Sequence, residues 1–382
     1  MIAIKNAKVV LETGIIFDGV ILIEDDRIYA VGPARELEIP ENASCVDANG
    51  AYVGPGFVDI HVHGGNGHFF YSEPEQAAEH FLSHGETTVL ATLYYDLSRD
   101  AFLESVRRVK SAMGTGAARA IGGFYMEGPY MNPKYGASPE KNQWRGPICK
   151  ADYQEILEEA GELAKVWAVA PEREGIEPFV RDAKAVHPGT VFAVGHSEAT
   201  PAQVYKLRKY GLRLQTHCMD ATGRPDVMKG TRSCGPDEAC MGDRDMYAEV
   251  VCDSCGIHVH PDMIRMVLEN KGVDRLILIS DSFVSYGDSP EHLRHIEDLV
   301  FDDNSLLSGS KLTLDIACRN MMQHTSCGIC QAFLMASRNP ARIIGMDDEI
   351  GTIEVGKKAD RVFVDDLFHV QKVMLEGNFW QK

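Results

Sequence analysis

Along the first fifty residues, apolar and polar positions alternate in short runs: IAIKNAKVV is followed by GVILIEDDRIYAVG, punctuated by Gly and an Asp-Asp pair. The last stretch, GTIEVGKKADRVFVDDLFHVQKVMLEGNFW, has the same texture, broken by Gly-Lys-Lys and Asp-Asp. Similar ends of this kind predict one small β domain built from both termini, residues 1–52 and 349–382, around a central unit covering 53–348.

Within that unit the pattern changes to short apolar runs alternating with amphipathic segments, the texture of a parallel sheet covered by helices. Eight such runs are predicted as strands: 53–63, 87–94, 120–128, 166–171, 191–196, 212–217, 249–255 and 275–281. Eight strands are the number that closes a (β/α)8 barrel. Helix signals fall in the gaps. Thr200-Pro201 is an N-cap followed by proline at the first helical position, and Pro261 opens a segment with Met263, Ile264, Val267 and Leu268 on one face and Gly272 past its end. A doubly wound open sheet is the competing architecture, but no G-x-G-x-x-G turn follows the first strand.

Composition narrows the classes. The 382 residues are 45% hydrophobic and 25% charged, as in an ordinary globular protein. Thirty-eight Lys and Arg against 56 Asp and Glu leave a formal charge of -18, a field that repels nucleic acid and anionic membranes. No apolar run approaches the roughly 18 residues of a membrane span, and the N-terminal segment lacks the pattern of a signal peptide. The expectation is a cytoplasmic enzyme with reduced thiols, with neither nucleic acid nor membrane as a partner.

Polar residues add the chemistry. Five of the predicted strands carry a metal-competent side chain at the carboxyl end: His61 and His63 on the first, Glu127 on the third, His196 on the fifth, His217 on the sixth and Asp281 on the eighth. In a barrel those ends converge on one face. The period-two spacing of His61 and His63 aims both imidazoles into the barrel mouth and Val62 toward the helices. Imidazole and carboxylate donors suit Zn2+, Fe2+, Co2+ or Mn2+, and zinc lowers the pKa of a bound water to about 7. Asp281, placed opposite, can then move a proton between that water and a leaving group; its structural alternative is a helix N-cap.

The ten cysteines include two C-x-x-C pairs, Cys252 with Cys255 and Cys327 with Cys330, but their separation exceeds that of a zinc ribbon and strand residues three apart face opposite ways, so core thiols are expected. Cys218 is expected to face away from the barrel mouth. Leu307-Ser308-Gly309-Ser310 reads either as a backbone anion nest or as a plain turn.

The strings GPGFVDIHVHG, MEGPYMN, VAPE, VGHSEAT, THCMDAT, GIHVHPDMIR, LISD, LSGSKLT, NPARIIG and GTIEVGKKAD occur in an order that resembles the N-acetylglucosamine-6-phosphate deacetylases of the amidohydrolase superfamily, nearly end to end. The resemblance implies a TIM-like (β/α)8 barrel with a small β-sandwich domain from both termini. It implies that Glu127, His196 and His217 hold the main divalent metal, zinc first, and that His61 and His63 can hold a second, with Glu127 as bridge. Asp281 matches the catalytic aspartate, and His258 matches a histidine that contacts the sugar and helps polarise the amide. The implied substrate is an amino sugar, and the implied assembly is a homodimer in which an Arg reaches the neighbouring subunit's phosphate. Arg232 is the best match for that Arg and Arg224 the runner-up.

Departures from the family concern the substrate pocket. Asp220, followed by Ala221, stands where the family has a phosphate-binding Asn, and Ser138 stands where it has a substrate-contacting His. A carboxylate beside a phosphate dianion is repulsive unless a cation intervenes. The leading expectation is hydrolysis of N-acetylglucosamine 6-phosphate to acetate and glucosamine 6-phosphate. The alternatives are N-acetylgalactosamine 6-phosphate, an unphosphorylated N-acyl sugar or a cyclic amide as substrate, and, from another class, a non-catalytic barrel kept as a scaffold.

Overall fold

Residues 53–63, read from the sequence as one strand, change partners halfway in the computed structural model, which describes residues 1–225, 230–284 and 287–381. Tyr52–Pro55 lies in the sheet of the termini, antiparallel to Arg361–Val364 and parallel to Ile2–Leu11. Pro55 has no amide hydrogen with which to extend that ladder. Gly56 N still donates to the Asp360 carbonyl, opposite it across the antiparallel ladder, but Phe57 N donates to the Gly85 carbonyl at the foot of the barrel, each at 2.9 Å. The chain therefore passes from one sheet to the other at the Gly-Pro-Gly sequence.

The second sheet is the barrel. Its strands are β1 (Phe57–Val62), β2 (Glu86–Tyr94), β3 (Ile121–Glu127), β4 (Ala164–Val169), β5 (Val191–Val194), β6 (Leu212–Gln215), β7 (Tyr247–Val251) and β8 (Leu276–Ile279), paired in that order and all parallel. The eight predicted runs are all present, with ends shifted by up to four residues. The ring closes between first and last strands: Asp281 N donates to His61 O at 3.0 Å and His63 N to Ser282 O at 2.9 Å. Deeper in, the buried Asp59 carboxylate accepts from Ser280 N at 3.2 Å.

A helix follows every strand: α1 (Pro74–Ser83), α2 (Arg99–Ala112), α3 (Lys150–Ala160), α4 (Ile176–Val186), α5 (Pro201–Leu207), α6 (Pro236–Gly242), α7 (Pro261–Lys271) and α8 (Leu314–Thr325). Thr200 caps α5 as expected, in a reciprocal capping box with Gln203. On α7 the predicted face buries Ile264 and Val267, with Met263 and Leu268 at its margins. One apolar cluster fills the space between strands and helices and includes Val58, Ile60 and Val62 of β1.

The sheet of the termini has eight strands. Ile4, Ile21, Ile23 and Ile28 from its N-terminal half share one buried cluster with Val53, Phe363 and Met374 from the other half, so the sheet folds over on itself. Its junction with the barrel is tight, since a Cβ at Gly54 would lie 2.2 Å from the Phe333 ring. Gly54→Ala is therefore expected to cost about 1–3 kcal/mol in denaturant unfolding, as overpacked core sites do. Gly146→Ala, where a Cβ meets nothing within 4 Å, is expected to be near neutral in the same measurement.

Candidate metal centre and active-site cavity

Six of the predicted residues meet at the carboxyl end of the barrel. His61 lies within β1 and Glu127 ends β3; His63, His196, His217 and Asp281 sit just beyond β1, β5, β6 and β8. His196, His217 and Asp281 have φ of 43°, 27° and 47°, a left-handed conformation uncommon outside glycine, at the exit of each strand. Neighbouring loops hold the turn at His196. Glu172, from the VAPE string, accepts from Ser197 Oγ at 2.7 Å, from Glu198 N at 2.8 Å and from Asn132 Nδ2 at 2.8 Å, while Asn132 N donates to His196 O at 2.9 Å.

Glu127 is the centre of the arrangement. Its Oε2 lies 3.4 Å from His61 Nε2 and 3.1 Å from His63 Nε2; its Oε1 lies 3.0 Å from His196 Nε2 and 3.3 Å from His217 Nε2. Asp281 Oδ1 joins the first group at 3.6 Å from His61 Nε2 and 3.4 Å from His63 Nε2. Donors arranged tetrahedrally around an ion at zinc-like bond lengths stand about 3.4 Å apart, so these separations match the edges of such a polyhedron. Among the described residues the buried His61 Nε2 has no hydrogen-bond partner, which also fits a coordinated atom. Among the described residues two donor clusters able to hold a metal ion follow, His61-His63-Glu127 and Glu127-His196-His217.

Burial alone would favour neutral imidazoles and protonated carboxyls here. The mutual attraction outweighs it: Glu127 is held well below the usual carboxylate range by its histidines, and His61 and His63 are raised above theirs. His217 is pushed up to about 9, chiefly by Glu127 working against burial. Asp281 is lowered against burial by His63 and His61.

Sequence reasoning passed over three groups behind this site. Tyr125 stacks on His61 with ring centroids 4.2 Å apart, Glu249 reaches the back of the same imidazole at 3.2 Å, and Phe283 walls His63 at 5.0 Å. A lone carboxylate in the otherwise apolar run YAEVV was the available signal for Glu249.

A cavity of about 290 Å³ opens onto the centre, lined by His63, Glu127, His196, His217, Asp220, Ala221, His258 and Asp281 among others. A family model described as the amidohydrolase family matches residues 52–379. The chain belongs to the amidohydrolase family. That family is metal-dependent, and the two donor clusters have the composition to serve it. The chain is 28% identical to an N-acetylglucosamine-6-phosphate deacetylase from Bacillus subtilis, over 98% of this chain and 96% of the relative. An N-acetylgalactosamine-6-phosphate deacetylase from Escherichia coli O157:H7 is also 28% identical, over 98% of both. Among solved structures, an N-acetyl-D-glucosamine-6-phosphate deacetylase from Mycobacterium smegmatis superposes with a TM-score of 0.81 at 26% identity, covering all of both chains. The resemblance drawn from the motif strings is borne out.

In this amidohydrolase the departures have specific surroundings. Asp220 Oδ2 lies 2.7 Å from His258 Nδ1, and His258 Nε2 lies 3.0 Å from Gly309 O. A carboxylate and a carbonyl can only accept, so both ring nitrogens carry hydrogen and His258 is an imidazolium. The cation that the sequence argument required beside Asp220 is thus His258. Ser138 has turned away from the cavity, and its hydroxyl donates to Asp302 at 2.8 Å while Gly136 and Ala137 line the wall. Arg232 and Arg224 both pair with Glu238, at 3.1 and 2.9 Å, and neither is among the described residues that line the cavity.

Two local readings are corrected. Leu307–Ser310 is neither nest nor plain turn but a short strand, antiparallel to Leu299–Phe301 on one side and bridged to 281–283 on the other, where Ser310 N donates to Asp281 O and Phe283 N to Ser310 O, each at 2.9 Å. It turns a carbonyl, not an amide, toward His258. Asp281 is not an N-cap; Thr313 occupies that position on α8. The cysteines are all unpaired, Cys218 is buried in the barrel core, and Cys252 is buried while Cys255 is exposed.

Burial disfavours charge on His258, but Asp220 outweighs it and raises the imidazole to about 9. A histidine raised above its unfolded value of roughly 6.5 stabilises the fold fully below that pH and loses the contribution as pH rises through about 9. Asp220→Asn is expected to lower the His258 pKa and to flatten the decline in stability between those limits. NMR titration of the imidazole, with melting curves across the same range, measures both.

Proposed function

We propose that this amidohydrolase removes the acetyl group from an N-acetyl amino sugar 6-phosphate, N-acetylglucosamine 6-phosphate first, releasing acetate and glucosamine 6-phosphate. The observation that carries the reading is the Glu127 carboxylate, with one oxygen against each pair of imidazoles and Asp281 at the edge facing the cavity. Glu127, His196 and His217 would hold a divalent transition metal, Zn2+ before Fe2+, Co2+ or Mn2+, and His61 and His63 a second, which would supply Lewis-acid activation of the amide carbonyl and the attacking water.

The chain's own groups do the rest. Asp281, kept ionised by its histidines, takes a proton from the attacking water and returns it to the departing amine nitrogen. His258, already cationic, redirects its Nε2–H from the Gly309 carbonyl to the amide oxygen, where negative charge develops. Asp220 keeps that proton in place, and Ala221 lines the same wall. In a homodimer, Arg232, whose side chain is 73% exposed, supplies a phosphate contact to the neighbouring subunit. The unpaired cysteines are in keeping with a cytoplasmic location.

A second reading, the galactosamine epimer, is favoured by the equal identity to relatives of either name. Steady-state assays on both 6-phosphates and both unphosphorylated sugars decide between them. Turnover of a phosphosugar is expected, with preference for the glucosamine form; no turnover of either phosphosugar overturns the proposal. Asp281→Asn is expected to lower kcat by roughly 10²–10⁴, the usual worth of a positioned acid–base group, with metal content retained. Full activity in that variant would remove Asp281 from the mechanism.

A further inference from the structure

We infer that Glu249 is the positioning residue of the metal centre: it selects the tautomer of His61 and ties that histidine to the strand end that carries His217. The inference rests on the metal-centre reading above and extends it to a residue behind the donors.

Glu249 is the middle residue of β7 and is fully buried. Its Oε2 collects three donors, two from strands β1 and β3 and one from the exit of β6. His61 Nδ1 approaches at 3.2 Å, the Tyr125 hydroxyl at 3.3 Å and the His217 backbone N–H at 3.3 Å. The Tyr125 hydroxyl is in turn 2.8 Å from Thr216 Oγ1, and Tyr125 lies flat on the His61 ring. A carboxylate can only accept, so His61 must carry its hydrogen on Nδ1. In the neutral ring that binds an ion, the lone pair then falls on Nε2, the atom that faces Glu127 Oε2 and Asp281 Oδ1. An amide in place of the carboxylate can donate as well as accept, which lets the imidazole take the opposite tautomer and puts a hydrogen where the ion would sit. Among the described residues the ion pairs of His63 are both made through Nε2, to Glu127 and Asp281, and none holds its Nδ1 from behind. Control of the His61–His63 side therefore falls on Glu249.

The test reads metal binding rather than turnover, so it stays informative even if the substrate assignment is wrong. Purified full-length protein is titrated with Zn2+ against a chelator, with stoichiometry by elemental analysis, for wild type, Glu249→Gln, His61→Asn and the double variant. The wild type is expected to bind two ions per chain. Glu249→Gln is expected to keep the tighter ion and to weaken the other by 10–100-fold, the usual effect of removing such an outer carboxylate. Adding His61→Asn is expected to weaken binding no further than His61→Asn alone, because Glu249 acts through that ring. Identical isotherms for wild type and Glu249→Gln, whether one ion or two are bound, overturn the inference, as do additive effects in the cycle. Should Glu249→Gln fail to fold, Tyr125→Phe removes a donor from the same oxygen and is expected to weaken the same ion by a smaller factor; additivity of that variant with His61→Asn overturns the inference equally.

Discussion

A single buried carboxylate, Glu127, faces four imidazoles, and the site depends on its staying ionised. Taking a carboxylate out of water costs several kcal/mol unless charge and hydrogen bonds compensate it. Here each oxygen meets two ring nitrogens within 3.4 Å. The compensation is possible only because β1, β3, β5 and β6 deliver their side chains to one point, which a closed parallel barrel does and a flat sheet does not. The backbone bonds joining β1 to the residues after β8 are thus part of the chemistry: they bring Asp281 beside the two histidines of β1.

The Asp220 wall of the cavity, next to His217, follows a different electrostatic logic. Asp220 would repel an anionic substrate if it stood alone, but its partner His258 is held cationic by two acceptors, and the pair is close to neutral. The molecule as a whole carries a charge of -18, so attraction of a phosphosugar has to arise locally. Within one chain, the arginines closest to that role are occupied by Glu238. A second subunit, or rearrangement of those ion pairs, is what the phosphate reading requires.

The barrel, the six convergent side chains and the family were legible in the sequence because each leaves a local mark: apolar runs of strand length, His-x-His at period two, and motif strings in order. What was not legible depends on contacts across the barrel. Glu249 sits mid-strand, not at a carboxyl end, and only the closed ring brings it behind His61, 188 residues away. The pairing of Asp220 with His258 converts an apparent defect into a neutral pair, and no spacing rule foretells it. The split of 53–63 between two sheets was hidden because both halves are equally apolar; the mark was Gly54-Pro55-Gly56, whose meaning lies in the Phe333 ring and the loss of one amide. Leu307–Ser310 was misread because glycine signals a turn, whereas here Gly309, at φ 114°, fits a strand whose neighbour is the Asp281 carbonyl.

Anomalous diffraction from crystals of the metal-loaded protein tests the central claim most directly. Two anomalous peaks on either side of Glu127, each bonded to one of its carboxylate oxygens and to two histidine nitrogens at about 2.0–2.2 Å, are the expected result. Metal-loaded crystals with no ion against Glu127, or with ions held only elsewhere, would contradict the account.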